Sequence, residues 1–222
     1  MKPRIIFITG TDTGVGKTVL ATLLVGYFRN QGISVGAFKP VCSGGRADAE
    51  ALHATLVGTL TLDEINPWHF RAAVSPLLAA RAEKRKVVLA QVVAHACRLQ
   101  ERFALLIVEG AGGLLSPLGE DFDSRDLIQT LRATPVMVAP NRLGAINQVL
   151  LTLAALPKRL SQKTQVVLMA TLNPDTASRG NVKFLREKLG PQRVHELPRL
   201  KIPELDRSVA TQLTILAEAL EG

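Results

Sequence analysis

Aromatic residues make up only 4% of this 222-residue chain, with one Trp and one Tyr. The core must therefore be assembled from Leu, Val, Ile and Ala. An apolar content of 47% is ample for one well-buried domain of ordinary size. Cysteine is as scarce: Cys42 and Cys97 stand far apart with no partner motif. That excludes a disulfide scaffold and predicts reduced thiols in a cytoplasmic chain. His53, His69, His95 and His195 show no metal-ligand spacing, so surface or core histidines are expected. No apolar stretch reaches the length of a membrane span without a charge or proline. The first strand enters directly after Met1-Lys2-Pro3, so no cleavable leader is expected. A Gly-x-Ser-x-Gly elbow and a Cys/His motif are missing too, and no covalent protein nucleophile is evident.

Charge of one sign is in excess, with a net +8 and a sequence pI near 9.9. The basic residues are nevertheless scattered. Lys84-Arg85-Lys86 is the densest run, and no aromatics are interleaved with it. A nucleic-acid surface concentrates its charge on one face, so this run reads as a solvated helix end. Neither nucleic acid nor membrane is expected as a partner. Part of the positive charge can complement anionic substrates.

What is present is concentrated near the N-terminus. The apolar run Arg4–Thr9 reads as a buried strand and Val19–Phe28 as a helix. Between them lies Gly10-Thr11-Asp12-Thr13-Gly14-Val15-Gly16-Lys17-Thr18. Strand, small-residue loop, Gly-Lys-Thr and helix is the phosphate-cradling arrangement of nucleotide-binding proteins. Thr11 stands where the usual expression has its first Gly, with Gly10 one residue earlier. Backbone N–H groups of Thr13, Gly14, Val15 and Gly16 are expected to face phosphate oxygens. Lys17, read as an exposed loop lysine, can reach the β- and γ-phosphates, and the Thr18 hydroxyl can ligate Mg²⁺.

The rest of the chain alternates short apolar runs with helical patterns. Strands are expected over Ser34–Pro40, Phe103–Glu109, Pro135–Ala139, Gln165–Thr171 and Val194–Leu197. Helices are expected over Leu89–Gln100, Ala145–Leu156, Val182–Leu189 and Val209–Leu220. No repeat or low-complexity linker divides the chain, which predicts a single domain over residues 1–222. The fold class is α/β: three layers, a mostly parallel central sheet with helices on both faces, of the P-loop NTPase type. In such sheets ligands sit beyond the strands' carboxyl ends. That rule gathers the Gly10 loop, Lys39, Glu109 and Ala139-Pro140-Asn141 into one candidate site. Glu109 ends a buried strand before Gly110-Ala111-Gly112-Gly113, which suits either a Mg²⁺ ligand or a carboxylate capping a glycine turn. Lys39 can neutralise charge on a transferring phosphoryl group, or be an exposed lysine before a proline turn.

The loop also separates this chain from the chromosome-partition and cell-division-site ATPases, which carry a second loop lysine where this chain has Asp12. It resembles instead the loop of the dethiobiotin synthetase family. Glu109-Gly110-Ala111-Gly112-Gly113 resembles that family's second motif, and Lys39-Pro40-Val41-Cys42-Ser43-Gly44 its Lys-Pro-Val-x-Ser-Gly segment. Asp48 matches its aspartate in Asp-Ala-x-x-Leu. Asn66-Pro67-Trp68-His69-Phe70, with Ser75-Pro76 beyond, and Leu143-Gly144-Ala145-Ile146-Asn147 match further elements. The resemblance runs to about Asn147 and weakens thereafter. At the family's adenine-reading asparagine stands Thr171, with Asn173 two residues later. Glu196-Leu197-Pro198-Arg199-Leu200 is similar to the segment flanking the base.

The resemblance implies an ATP-dependent ligase of biotin biosynthesis that converts 7,8-diaminononanoate and CO2 to dethiobiotin. It implies Mg²⁺ held by Thr18, Asp48 and Glu109. Nucleotide contacts would come from Thr13 to Thr18, Asp48, Glu109, Gly110, Gly112, Gly113, Thr171 or Asn173, and Pro198. Lys17 and Lys39 would be catalytic. Thr13, Lys39, Ser43, Leu143, Gly144, Ala145 and Asn147 would bind substrate, the last four across a homodimer interface. Apart from the resemblance, Asn147 reads as a helix-surface residue, and Val149-Leu150-Leu151 with Leu153 as either core or a self-complementary surface. The alternatives on the same scaffold are an amidoligase-like enzyme and a partition-type nucleotide switch. An amidoligase's glutamine-hydrolysing domain does not fit within 222 residues.

Overall fold

Unbroken apolar runs such as Ile5–Ile8 and Leu105–Val108 can only be satisfied in strands buried on both faces, and they form the centre of the sheet. The computed structural model describes residues 4–198 and 207–221. Strand β1 (Arg4–Gly10) leads through the glycine-rich loop into helix α1 (Lys17–Asn30), and β2 (Val35–Phe38) follows. Next come β3 (Val41–Ser43), α2 (Ala47–Leu56), α3 (Leu62–Ile65), β4 (Trp68–Phe70), α4 (Pro76–Ala82) and α5 (Leu89–Gln100). Strand β5 (Leu105–Glu109), α6 (Ser124–Thr130), β6 (Thr134–Asn141), α7 (Ala145–Ala155) and α8 (Lys158–Lys163) continue the alternation. The last elements are β7 (Gln165–Ala170), α9 (Ala177–Leu189), β8 (Val194–Leu197) and α10 (Arg207–Glu221).

Among the described residues, six strands form one sheet in the order β2-β5-β1-β6-β7-β8. Every pairing in it is parallel. Helices pack on both faces, as the main apolar cluster and a second one joining Met137, Val149, Leu153, Val166, Leu168 and Leu185 require. The expected α/β architecture is therefore what the chain adopts.

The chief differences from the expected elements lie between β2 and α5, with a smaller one at the start of α9. The strand expected over Ser34–Pro40 ends at Phe38, and the chain re-enters extended structure at Val41, in a separate two-stranded parallel sheet of β3 and β4. Pro40 has no N–H to donate to a ladder. Lys39 N instead donates to Ile65 O at 2.8 Å, turning the chain out of the main sheet. Helix α9 begins at Ala177, five residues before the expected Val182, because packing overrides the low helix propensity of Gly180 and Asn181. Lys84, Arg85 and Lys86 are exposed just beyond α4, as a solvated helix end would be. Arg199 and Leu200, expected near the base, and Met1-Lys2-Pro3 lie outside the described residues.

Candidate functional site

Strand register brings the sequence-distant candidates to one edge. Ile8 lies opposite Glu109, Gly10 opposite Val138, and Phe38 opposite Val108. The chain therefore leaves β1, β2 and β5 at one level, placing the glycine loop, Lys39 and Glu109 side by side.

The loop is built around its own backbone. Thr11 N donates to Val138 O at 3.0 Å, and Thr13 N to Asp12 Oδ1 at 2.7 Å. Gly16 caps α1 at φ 102°, a left-handed conformation that strains any side chain, and a Cβ there would lie 3.2 Å from Met169 Cε. No side chain caps α1 and its first turn holds no acidic residue, so its free N–H groups and positive dipole end face the cavity. Val15 is buried beneath the loop. Lys17 departs from the exposed lysine expected. It is buried, its stem lying under the loop beside Gly10 and its Nζ donating to Asp12 O at 2.8 Å. Burial, then the nearby charge of Lys39, lowers its pKa to about 8.

Beside the loop is a compact ionic cluster. The Lys39 ammonium donates to Asp48 Oδ2 and Glu109 Oε1, both at 2.7 Å, and to Gly110 O at 3.2 Å. Thr18 Oγ1 donates to Glu109 Oε1 at 2.7 Å. Lys39 is 2% exposed and Glu109 1%, so the exposed-lysine alternative for Lys39 does not hold. Burial works against charge on Lys39, but Glu109 and Asp48 outweigh it and hold the ammonium above its ordinary range. Burial likewise opposes a charge on Asp48, yet Lys39 pulls its carboxyl below the usual range. Burial pushes the Glu109 carboxyl up, only partly offset by Lys39.

Asn66, noted in the sequence only as part of a family element, and Arg46 and Ser116, which the sequence did not single out, position this cluster. Asn66 is buried, and its Nδ2 donates to Lys39 O at 2.7 Å and to Trp68 O at 3.2 Å, fixing the turn that carries Lys39. Arg46, just before α2, donates to Leu62 O and Asn66 O and so anchors the helix bearing Asp48. Ser116 Oγ accepts from Gly113 N at 2.9 Å and tightens the turn after Glu109. Gly112 sits there at φ 66°, where a Cβ would fall 2.3 Å from Ser116 Oγ. Gly113 lies against the phosphate loop, its ideal Cβ position 3.3 Å from Thr11 O.

These groups line one cavity of about 720 Å³. Thr13, Gly14, Gly16, Lys17 and Thr18 form one wall, Lys39, Asp48, Glu109 and Gly112 its floor. Ser43–Gly45 and Ala73–Pro76 close the far side, where Ser43 Oγ donates to Val74 O at 2.6 Å. Leu143, Gly144, Ala145 and Asn147 lie outside that lining, at the start of α7. So do Thr171, Asn173 and Pro198. Met169 pairs with Leu197, so Thr171 and Pro198 follow adjacent strand ends. The Thr171 hydroxyl donates to Asn173 O at 3.2 Å, and Asn173 is exposed.

The floor gathers hard oxygen donors of the kind a cation takes. Among the described residues no group of three or more His, Cys, Asp or Glu side chains converges; the side-chain oxygens gathered here belong to one hydroxyl, Thr18, and two carboxylates, Asp48 and Glu109. These are hard oxygen ligands suited to Mg²⁺ rather than to a soft ion. Glu109 Oε2 is buried with no hydrogen-bond partner, an orphaned acceptor that a cation would satisfy.

A family profile described as an AAA domain matches residues 4–207. The ATP-dependent dethiobiotin synthetase BioD of Methanococcus vannielii is 38% identical over 154 residues, 69% of this chain and 73% of the relative. That of Anaeromyxobacter dehalogenans is 42% identical over 179 residues, 79% of this chain and 80% of the relative. The chain belongs to the dethiobiotin synthetase family. Membership in the dethiobiotin synthetase family makes it an enzyme of the ligase class. Solved structures agree on the fold alone. A MinC:MinD cell division complex from Aquifex aeolicus superposes with a TM-score of 0.61 at 14% identity, over 99% of this chain and 96% of that one. A GTPase from Pyrococcus abyssi in its apo form gives 0.57 at 15%, over 100% and 98%. No helix among the described residues is long and apolar enough to cross a membrane.

Proposed function

We propose that this chain catalyses the ATP- and Mg²⁺-dependent closure of 7,8-diaminononanoate with CO2 to dethiobiotin, in the cytoplasm. One observation carries the reading. A single open cavity joins a phosphate loop, an acidic pair and Lys39 to a second wall, Ser43–Gly45 and Ala73–Pro76, that no phosphate chain needs.

The chemistry demanded is positioning and charge neutralisation, for which these residues are suited. One substrate amine adds to CO2, losing a proton to give a carbamate. A carbamate oxygen takes the γ-phosphoryl group of ATP, releasing ADP and leaving a carbamic–phosphoric anhydride. The second amine attacks the same carbon, loses a proton and expels phosphate, closing the ring. Lys17 and the N–H groups of Thr13–Gly16 hold the β- and γ-phosphates. Lys39 counters charge on the transferring group. Thr18, Asp48 and Glu109 would hold Mg²⁺, which when bound would neutralise charge on the nucleotide's phosphates. Ser43 and the backbone beside it would contact the diamine.

Thr171, Asn173 and Pro198 flank the place for the base, beside Met169 and the phosphate loop. A Thr171 hydroxyl already engaged by Asn173 O offers little base-edge recognition, so looser nucleotide preference is part of the reading. The start of α7 would receive the substrate carboxylate of a partner subunit in a homodimer. Exposed Leu151 and Leu143, at 62% and 80%, support that surface, while Val149 and Leu153 are core.

Phosphate release measured with and without 7,8-diaminononanoate, in the presence of bicarbonate, tests the reading. Release that depends on the diamine is expected. Release indifferent to it would favour a nucleotide switch.

A further inference from the structure

The Lys39 ammonium has three N–H donors, and all three are engaged, by Asp48 Oδ2, Glu109 Oε1 and Gly110 O. Lys39 therefore has no donor left for a ligand in the cavity. It occupies the space between the two carboxylates that a divalent ion needs. Removing it with nothing in exchange would leave a buried carboxylate, 1% exposed, without its ion-pair partner, which is strongly unfavourable. Its backbone is pinned at both sides, Lys39 N to Ile65 O and Lys39 O to Asn66 Nδ2. Only the side chain is free to move.

We propose that the Lys39 ammonium is the interim cation of the metal site. It holds Asp48 and Glu109 in ligating positions, then exchanges with the incoming metal ion, which releases it toward the cavity. Two consequences distinguish this from a lysine that simply faces phosphate. The lysine competes with the metal for the empty site, and its N–H groups become available to substrate only after the metal has arrived. The ordering protects the pair from lying uncompensated at any stage. This rests on the reading of Asp48 and Glu109 as the metal pair.

Mn²⁺ binding followed by electron paramagnetic resonance, without nucleotide, tests the exchange. Lys39→Met should bind Mn²⁺ about tenfold more tightly than wild type, a shift of about 1.4 kcal/mol. Lys39→Arg, which keeps the cation, should stay weak. The melting temperature of Lys39→Met should be lower in chelator and rise more with Mg²⁺ than that of wild type. Equal or weaker Mn²⁺ affinity in Lys39→Met overturns the proposal.

Should Lys39→Met not fold, wild-type protein labelled with ¹⁵N-lysine decides the matter. A slowly exchanging Lys39 ammonium signal should be present without metal and shift or vanish with Mg²⁺ and a non-hydrolysable ATP analogue. An unmoved signal overturns the exchange. Wild-type protein with Mn²⁺ and the analogue separates the two readings. No bound Mn²⁺ there would sink the metal site itself, whereas bound Mn²⁺ with no gain in Lys39→Met sinks only the exchange.

Discussion

Lys17 and Lys39 are both buried, in different company, and their substitutions should differ accordingly. Lys17 contributes a charge near the phosphates and a stem that packs under the loop. Lys17→Met keeps most of that stem, so its stability should stay within about 1.5 kcal/mol of wild type. Turnover should drop by about 10²–10³-fold, as when a donor aimed at developing charge is lost. Steady-state kinetics beside a thermal melt check both halves, and near-normal turnover would remove Lys17 from the mechanism. Glu109→Gln removes an anion that faces both Thr18 and Lys39. The Mg²⁺ concentration for half-maximal activity should rise at least about tenfold. Stability should fall by about 3 kcal/mol as Lys39 loses a buried partner. Magnesium titrations that superimpose on wild type would make Glu109 a turn residue only.

Between elements, the tie of β8 to β7 includes a buried histidine. His195 is 2% exposed, with Nε2 2.9 Å from Gln165 Oε1. Burial, then the charge of Arg186, lowers its pKa from 6.5 to about 4. The unfolded chain therefore binds the extra proton first as pH falls. The neutral histidine's contribution is complete above pH 6.5 and is lost as pH falls toward 4, amounting to about 3 kcal/mol at most. Urea unfolding across that window should show stability rising with pH, and His195→Gln should flatten the slope. An unchanged slope in the variant would assign the pH dependence to other groups.

The sheet strands and the long helices α1, α5, α7 and α10 were legible because runs such as Leu105–Val108 and periodic stripes admit few alternatives. The phosphate loop, Lys39 and Glu109 were legible because strand ends converge in a parallel sheet. Two short helices carried a signal that went unread. Thr61 with Glu64 and Asp123 with Asp126 form capping boxes at the starts of α3 and α6. The split between β2 and β3 was not legible, since it depends on the long-range hydrogen bonds of Asn66 and Ile65 to Lys39. The burial of Lys17 was hidden for a similar reason: the path of the loop backbone, rather than the side chain's polarity, decides it.

At the scale of the whole molecule, the cavity and the start of α7 lie apart in one subunit, and the proposed dimer reunites them. Asn147 and Leu151 are both exposed one helical turn apart. Leu151→Arg should yield monomers by sedimentation and lower activity, whereas a fully active monomer would rule out shared sites. Mixing inactive Lys17→Met with an inactive Asn147→Arg protein should restore about a quarter of wild-type activity once subunits exchange, because half the dimers regain one intact site. A mixture that stays inactive after demonstrated exchange would contradict composite sites.

The central claim is that one cavity couples ATP cleavage to carbon capture by a diamine. Incorporation of ¹⁴C from bicarbonate into an acid-stable cyclic product, measured against ADP formed in the same tube, tests it most directly. Equal amounts of label and ADP are predicted, with both absent when diamine or Mg²⁺ is withheld. ADP formed without acid-stable label, or label formed without ADP, would contradict the account.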